Sequence, residues 1–152
     1  MALRPDRNEH LTDLSFFMNE TAERGIIVVH STGGSGAAMD DSNAKVIAPA
    51  TTVSGKSPAG LLLNDVVNPD LTRQHINFHK DEVQQGNKVL LLRRGTVVTD
   101  QISGTPTVGA KAYFVVGGTI SASNQDSVST QVGRFLSVKD ADGYAKVEIN
   151  IT

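Results

Sequence analysis

"VGRFLSVKDADGYAKVEINIT", Val132 to Thr152, is the stretch that decides the fold class. Val147, Ile149 and Ile151 share one parity, while Lys146, Glu148 and Asn150 share the other. Successive side chains of a strand point to opposite faces, so the run has one apolar and one polar face. Asp142-Gly143 stands just ahead of it. That pair suits the tight turn of a hairpin because both residues tolerate positive φ. Val132 to Val138 supplies the opposing strand, and the whole stretch reads as a closing β-hairpin.

The same texture extends back through the chain. GIIVVHS (Gly25 to Ser31), KVIA (Lys45 to Ala48), LLLNDVV (Leu61 to Val67) and RQHINFH (Arg73 to His79) are short runs rich in Ile, Val and Leu. KVLLLRR (Lys88 to Arg94), TVVTD (Thr96 to Asp100) and AYFVV (Ala112 to Val116) continue the series. The breaks between them hold Gly, Pro, Asn, Asp and Ser, which supply positive φ, fixed φ or local side-chain hydrogen bonds. Short strands at this spacing, without amphipathic helices between them, predict an all-β domain. A small β-barrel, a β-tulip-like form and a sandwich all fit.

Residues 1–24 differ in character. A polar lead, RPDRNEH, is followed by LTDLSFFMNETAER. Leu14, Phe17, Met18 and Ala22 fall at helical spacing, with Asp13 as a candidate N-cap and Gly25 as a stop. Leu14, Phe16 and Met18 also alternate, which fits an extended segment. Both conformations remain open. We expect an N-terminal arm over 1–24 and a single β-rich domain over 25–152. A polar lead with an apolar tip suits a segment that docks on a neighbour, and packing on its own domain is the alternative.

Composition narrows the function classes. A chain of 152 residues suits one domain plus an arm. With 39% hydrophobic and 20% charged residues it is expected to be globular rather than disordered. The formal net charge of −2, with no long basic cluster, argues against broad nucleic-acid binding. The absence of Cys excludes disulfides and thiolate metal sites. MALRPDRNEH lacks an apolar h-region, and no apolar run reaches membrane-spanning length, so neither a signal peptide nor a membrane partner is expected.

Several stretches imitate catalytic or metal motifs. Ala50 to Ser57 fits a relaxed phosphate-loop pattern ending in Gly55-Lys56-Ser57. Such a loop works only when a helix begins at its Lys and Ser, because the loop amides and the helix N-terminus hold the phosphates. Here AGLLLNDVVNPD follows, which offers no helix of that length. HINFH places His75 and His79 four apart, but on a strand they stand about 13 Å apart at roughly 3.3 Å per residue and cannot share one ion. KDADGY resembles the middle of a calcium loop, yet alignment on Gly143 puts Val138 and Ile149 where oxygen donors belong. The pairs Asp40-Asp41, Asp81-Glu82 and Asp140/Asp142 are loop neighbours rather than carboxylates set across a cleft. GGSGAA (Gly33 to Ala38) lacks the strand-to-helix setting of a dinucleotide fingerprint. No catalytic residue, metal site or cofactor is expected.

Three phrases carry a family resemblance: GKSPAGLLLNDVV, KVLLLRRGTVVTDQISGTPTVGAKAYF and VGRFLSVKDADGYAKVEINI. In this order they resemble the capsid decoration, or cement, proteins of tailed bacteriophages. The similarity covers most of the chain from Gly25 onward and extends more loosely to the N-terminal segment. It implies a β-barrel or β-tulip-like domain on the outer face of an icosahedral head, assembled in the host cytoplasm. It also implies that the chain clamps neighbouring major capsid protein subunits, as a homo-oligomer for which a trimer is favoured over a dimer. Leu11, Leu14, Phe16, Phe17 and Met18 are the candidate capsid contacts, from their apolarity and their place in the arm. Another virion component, such as a fibre base, tail or adhesion module, is the alternative, and a phosphate-loop nucleotide hydrolase using Lys56 is a remote one.

Overall fold

The β-branched and leucine-rich runs form strands, and pairing between distant runs organises them. The computed structural model describes residues 3–31, 45–49, 52–63, 82–83 and 88–151. The strands are β1 (Asn8–Met18), β2 (Ala22–Glu23), β3 (Ile27–Ser31), β4 (Lys45–Ile47), β5 (Pro58–Leu62) and β6 (Glu82–Val83). They continue with β7 (Lys88–Thr99), β8 (Ile102–Ser103), β9 (Lys111–Phe114), β10 (Ile120–Ser121), β11 (Gln131–Phe135) and β12 (Ala145–Asn150). The chain is all-β as expected; the helical residues among the described ones are confined to two 3-10 turns, Val116–Gly118 and Gln125–Ser127.

One ten-stranded mixed sheet carries the molecule, in the order β1-β4-β3-β5-β7-β12-β11-β9-β10-β8. β1 also pairs antiparallel with β7, so the pairings β7–β1, β1–β4, β4–β3, β3–β5 and β5–β7 close into a ring. Closure gives each ring strand a partner on both sides along part of its length, so fewer edges stay unpaired than in an open sheet. The remaining strands extend from the C-terminal half of β7, beginning with β12, which pairs along Arg94 to Thr99. β2 and β6 form a separate two-stranded sheet.

Two apolar clusters follow from this arrangement. Met18, Val28, Val46, Leu62, Val89 and Leu91 come from all five ring strands and form one cluster. A second cluster lies against the other face of β3, β5 and β7, where Ile27, Val29, Leu61 and Leu92 meet Phe114, Phe135, Val147 and Ile149. The N-terminal half of β7 touches both: Val89 and Leu91 face the first cluster, Leu92 the second. Burial on both faces explains its unbroken VLLL run. From Val97 onward burial alternates, with Val97 and Thr99 buried and Val98 half-exposed.

KVLLLRR and TVVTD, expected as two strands, are one. Gly95 joins them, with φ +153 and a tight approach of β1: a Cβ there would lie 2.1 Å from the Asn8 carbonyl oxygen. Glycine here admits a neighbouring backbone. LLLNDVV is displaced, since its strand begins at Pro58 and ends at Leu62; residues 64–67 lie outside the described residues. Pro58 suits the opening position, where a strand tolerates a missing N–H. AYFVV ends early at Phe114, and positive φ at Gly117 and Gly118 turns the chain. RQHINFH lies outside the described residues. The closing hairpin forms as expected, with Arg134 opposite Glu148 and Phe135 opposite Val147.

Candidate interaction surface

Of the two conformations open for the N-terminal segment, the extended one is observed. β1 runs antiparallel to β7 from Asn8 opposite Thr96 to Phe17 opposite Lys88, with register shifts near Leu11 and between Asp13 and Phe16. The shift at Asp13 has a local cause: its carboxylate accepts hydrogen bonds from the backbone N–H and hydroxyl of Ser15. These bonds satisfy backbone that the strand ladder would otherwise use. β2 ends at Glu23, beside the boundary expected at residue 24, while β1 ahead of it pairs with β7 and β4. Leu3 bridges to Thr99 and is buried, and the Arg4 N–H donates to the Val98 carbonyl oxygen.

The candidate contact residues fall into three environments. Leu11 and Leu14 are 46% and 45% exposed, which is unusual for large apolar side chains on a long paired strand. Phe16 and Phe17 are half-buried. Phe16 packs on the ring cluster and lies 5.3 Å from the His30 ring, while the Lys88 ammonium sits over the Phe17 ring at 6.0 Å. Met18 is fully buried among Val28, Val46 and Leu62 and is a core residue. Only Phe17 and Met18 of β1 pair with β4, so among the described residues no strand covers the outer edge of β1 from Asn8 to Phe16. An edge of this kind can accept a further strand.

Polar groups cluster at two places on this segment. Near Phe16, the Arg93 guanidinium lies 4.0 Å from the Asp13 carboxylate. The Ser15 hydroxyl, its backbone N–H and Arg93 hold the Asp13 carboxyl below its ordinary range, against an opposing effect of burial. Desolvation and, after it, the Arg93 charge push the His30 imidazole below its ordinary value. At the other end, the Arg4 guanidinium lies 3.2 Å from Asp140 and 3.3 Å from Asp142, and stacks 4.2 Å from the Tyr144 ring centre. The Asp140 carboxylate accepts from the Tyr144 and Asp142 backbone N–H groups, which lower its pKa, with Arg4 adding to the effect. Sequence reading missed this latch because Leu3 and Arg4 lie in a stretch that looks merely polar.

The imitated motifs resolve by position. Lys56 donates its backbone N–H to Val53 in a turn that contains Gly55 at φ +69, and β5 begins at Pro58. A strand stands where a phosphate loop requires a helix. In KDADGY, Asp140 organises the turn, Ile149 is buried in β12 and Val138 is exposed, so the ends of a calcium loop do not converge. HINFH, GGSGAA, Asp40-Asp41 and Asp81 fall outside the described residues.

A phage family model described as the structural cement protein of E217 gp24 and Pam3 gp6 matches residues 8–150. The chain belongs to this cement family. The matched span takes in β1 through β12, so the N-terminal strand is part of what the family shares. No curated protein matches the chain. A cement protein is a structural component of the virion associated with the capsid, and the all-β architecture described here belongs to such a component.

Proposed function

We propose that this cement protein binds the outer surface of the phage head and stabilises the lattice of the major capsid protein. The observation that carries the reading is the outer edge of β1, where Leu11 and Leu14 stand exposed on a strand bonded along its other edge to β7. A capsid segment laid along this edge would gain main-chain hydrogen bonds and cover both leucines. Phe16 and Phe17 would border the contact, and Met18 would support it from the core. The role is mechanical rather than enzymatic, and it requires no cofactor. Many copies, each held weakly, would together help the shell resist internal pressure. A homo-oligomer, trimeric in preference to dimeric, would multiply the contacts of each copy.

The test is reconstitution of the protein on purified heads that lack it. Leu11→Asp/Leu14→Asp should reduce occupancy on the shell while leaving the thermal transition in place. Full occupancy by this variant would remove β1 from the contact. An electron-microscopy map of reconstituted heads should show regular copies over the shell, and density confined to the tail would reject the head-surface assignment.

A further inference from the structure

The solvent face of the sheet beyond the ring carries a charge pattern that no stretch of sequence displays. Strand register places Lys111, Arg134 and Glu148 side by side on β9, β11 and β12. Lys146 lies one step along β12 on the same face, and Asn150 on that face opposes Arg94 of β7. Lys111, Arg134, Lys146 and Arg94 are exposed, and none forms an ion pair among the described residues. Glu148 is the one carboxylate among these six residues. Asp140 and Asp142, between β11 and β12, are both engaged by Arg4. The whole chain has a formal net charge of −2, so the cations are segregated here and the excess acid lies elsewhere. Leu136, 36% exposed, borders the face beside Lys146, and exposed Leu11 borders it beside Arg94.

We infer that this cationic face docks against an acidic protein surface on the phage shell. The inference rests on the head-binding reading above and adds the chemistry of the partner. Unpaired cations on a flat sheet face cost little in water, but they favour a partner of opposite potential and disfavour one of like potential. Face-to-face pairing of two copies would juxtapose the four cations, which argues against a second copy as the occupant. Leu11 makes the face continuous with the β1 edge, so one orientation on the shell engages both.

The experiment titrates the full-length protein onto purified heads that lack it, at several salt concentrations. The expected result is an apparent affinity that falls roughly tenfold or more between low and moderately high salt, as screening shortens the reach of the charges. Lys111→Glu/Arg134→Glu/Lys146→Glu should bind at least about a hundredfold more weakly at low salt. The neutralised set Lys111→Gln/Arg134→Gln/Lys146→Gln should lose less, with its thermal transition unchanged; it serves if charge reversal disturbs folding. Lys56→Glu, which changes net charge away from this face, should bind as wild type. Wild-type binding by the neutralised and reversed sets would overturn the inference while leaving head binding intact. Failure of the wild-type protein to bind heads at all would instead remove the head-binding reading, and this inference with it. A changed sedimentation coefficient in the reversed set would assign the face to self-association, and saturable wild-type binding to duplex DNA lost in that set would assign it to nucleic acid. Either result overturns the inference.

Discussion

Gly133 of β11 shows how closely the backbones of paired strands approach. A Cβ at Gly133 would sit 1.7 Å from the Glu148 carbonyl oxygen, and that backbone cannot swing aside without opening β11 from β12. Gly133→Ala should therefore cost about 3 kcal/mol, lowering the melting temperature by on the order of 10 °C. Gly55→Ala meets open space and only the strain of φ +69, so it should cost about 1–2 kcal/mol. Differential scanning calorimetry of the two variants checks the order. The titrating residues make a second prediction. His30 lies below its ordinary 6.5, so the fold favours its neutral form. That preference contributes stability above pH 6.5, and the contribution is lost as pH falls through the depressed value. Asp13 and Asp140 lie below 3.8, so their contributions persist above that pH and disappear only in stronger acid. The melting temperature should decline in two stages on acidification, and His30→Gln should remove the upper one.

At the scale of elements, β1 is the strand on which the architecture turns. It closes the ring between β4 and β7, and it delivers Met18 to one cluster while the chain just before it sends Leu3 to the other. Removing residues 1–20 should abolish the cooperative thermal transition, as read by circular dichroism, because β7 would lose its partner from Lys88 to Thr96. A truncated protein that melts as wild type would show that the remaining strands suffice. The sequence left this strand ambiguous for a physical reason: Leu14, Phe16, Phe17 and Met18 satisfy helical spacing and alternation at once. Pairing with a strand far along the chain settles the choice, and local periodicity contains no trace of it. β12 was legible because one face is buried and the other is wet, which prints a period of two. β7 was read as two strands because Gly95 looks like a turn until the approach of Asn8 is seen.

The whole molecule behaves as one unit if its two clusters share strands, and β3, β5 and β7 each carry residues of both. Met18→Ala in one cluster and Phe135→Ala in the other should each cost about 3–5 kcal/mol and shift a single transition, with equal calorimetric and van't Hoff enthalpies. Two resolved transitions would separate the ring from the strands beyond it. The candidate interaction surface was legible only in part. Leu11 and Leu14 stand out as apolar residues in a polar segment, but apolarity does not separate an exposed leucine from a buried Met18. Lys111, Arg134 and Lys146 are scattered in sequence and become neighbours only through register. The union of β1 with β7 also sets a timetable for synthesis. Asn8 leaves the ribosome early, while Thr96, its partner, is made much later. Such distant contacts carry a loop-closure cost and fold slowly. The outer edge of β1 therefore joins a finished sheet only after most of the chain has been translated, so any contact made through it would wait for completed copies.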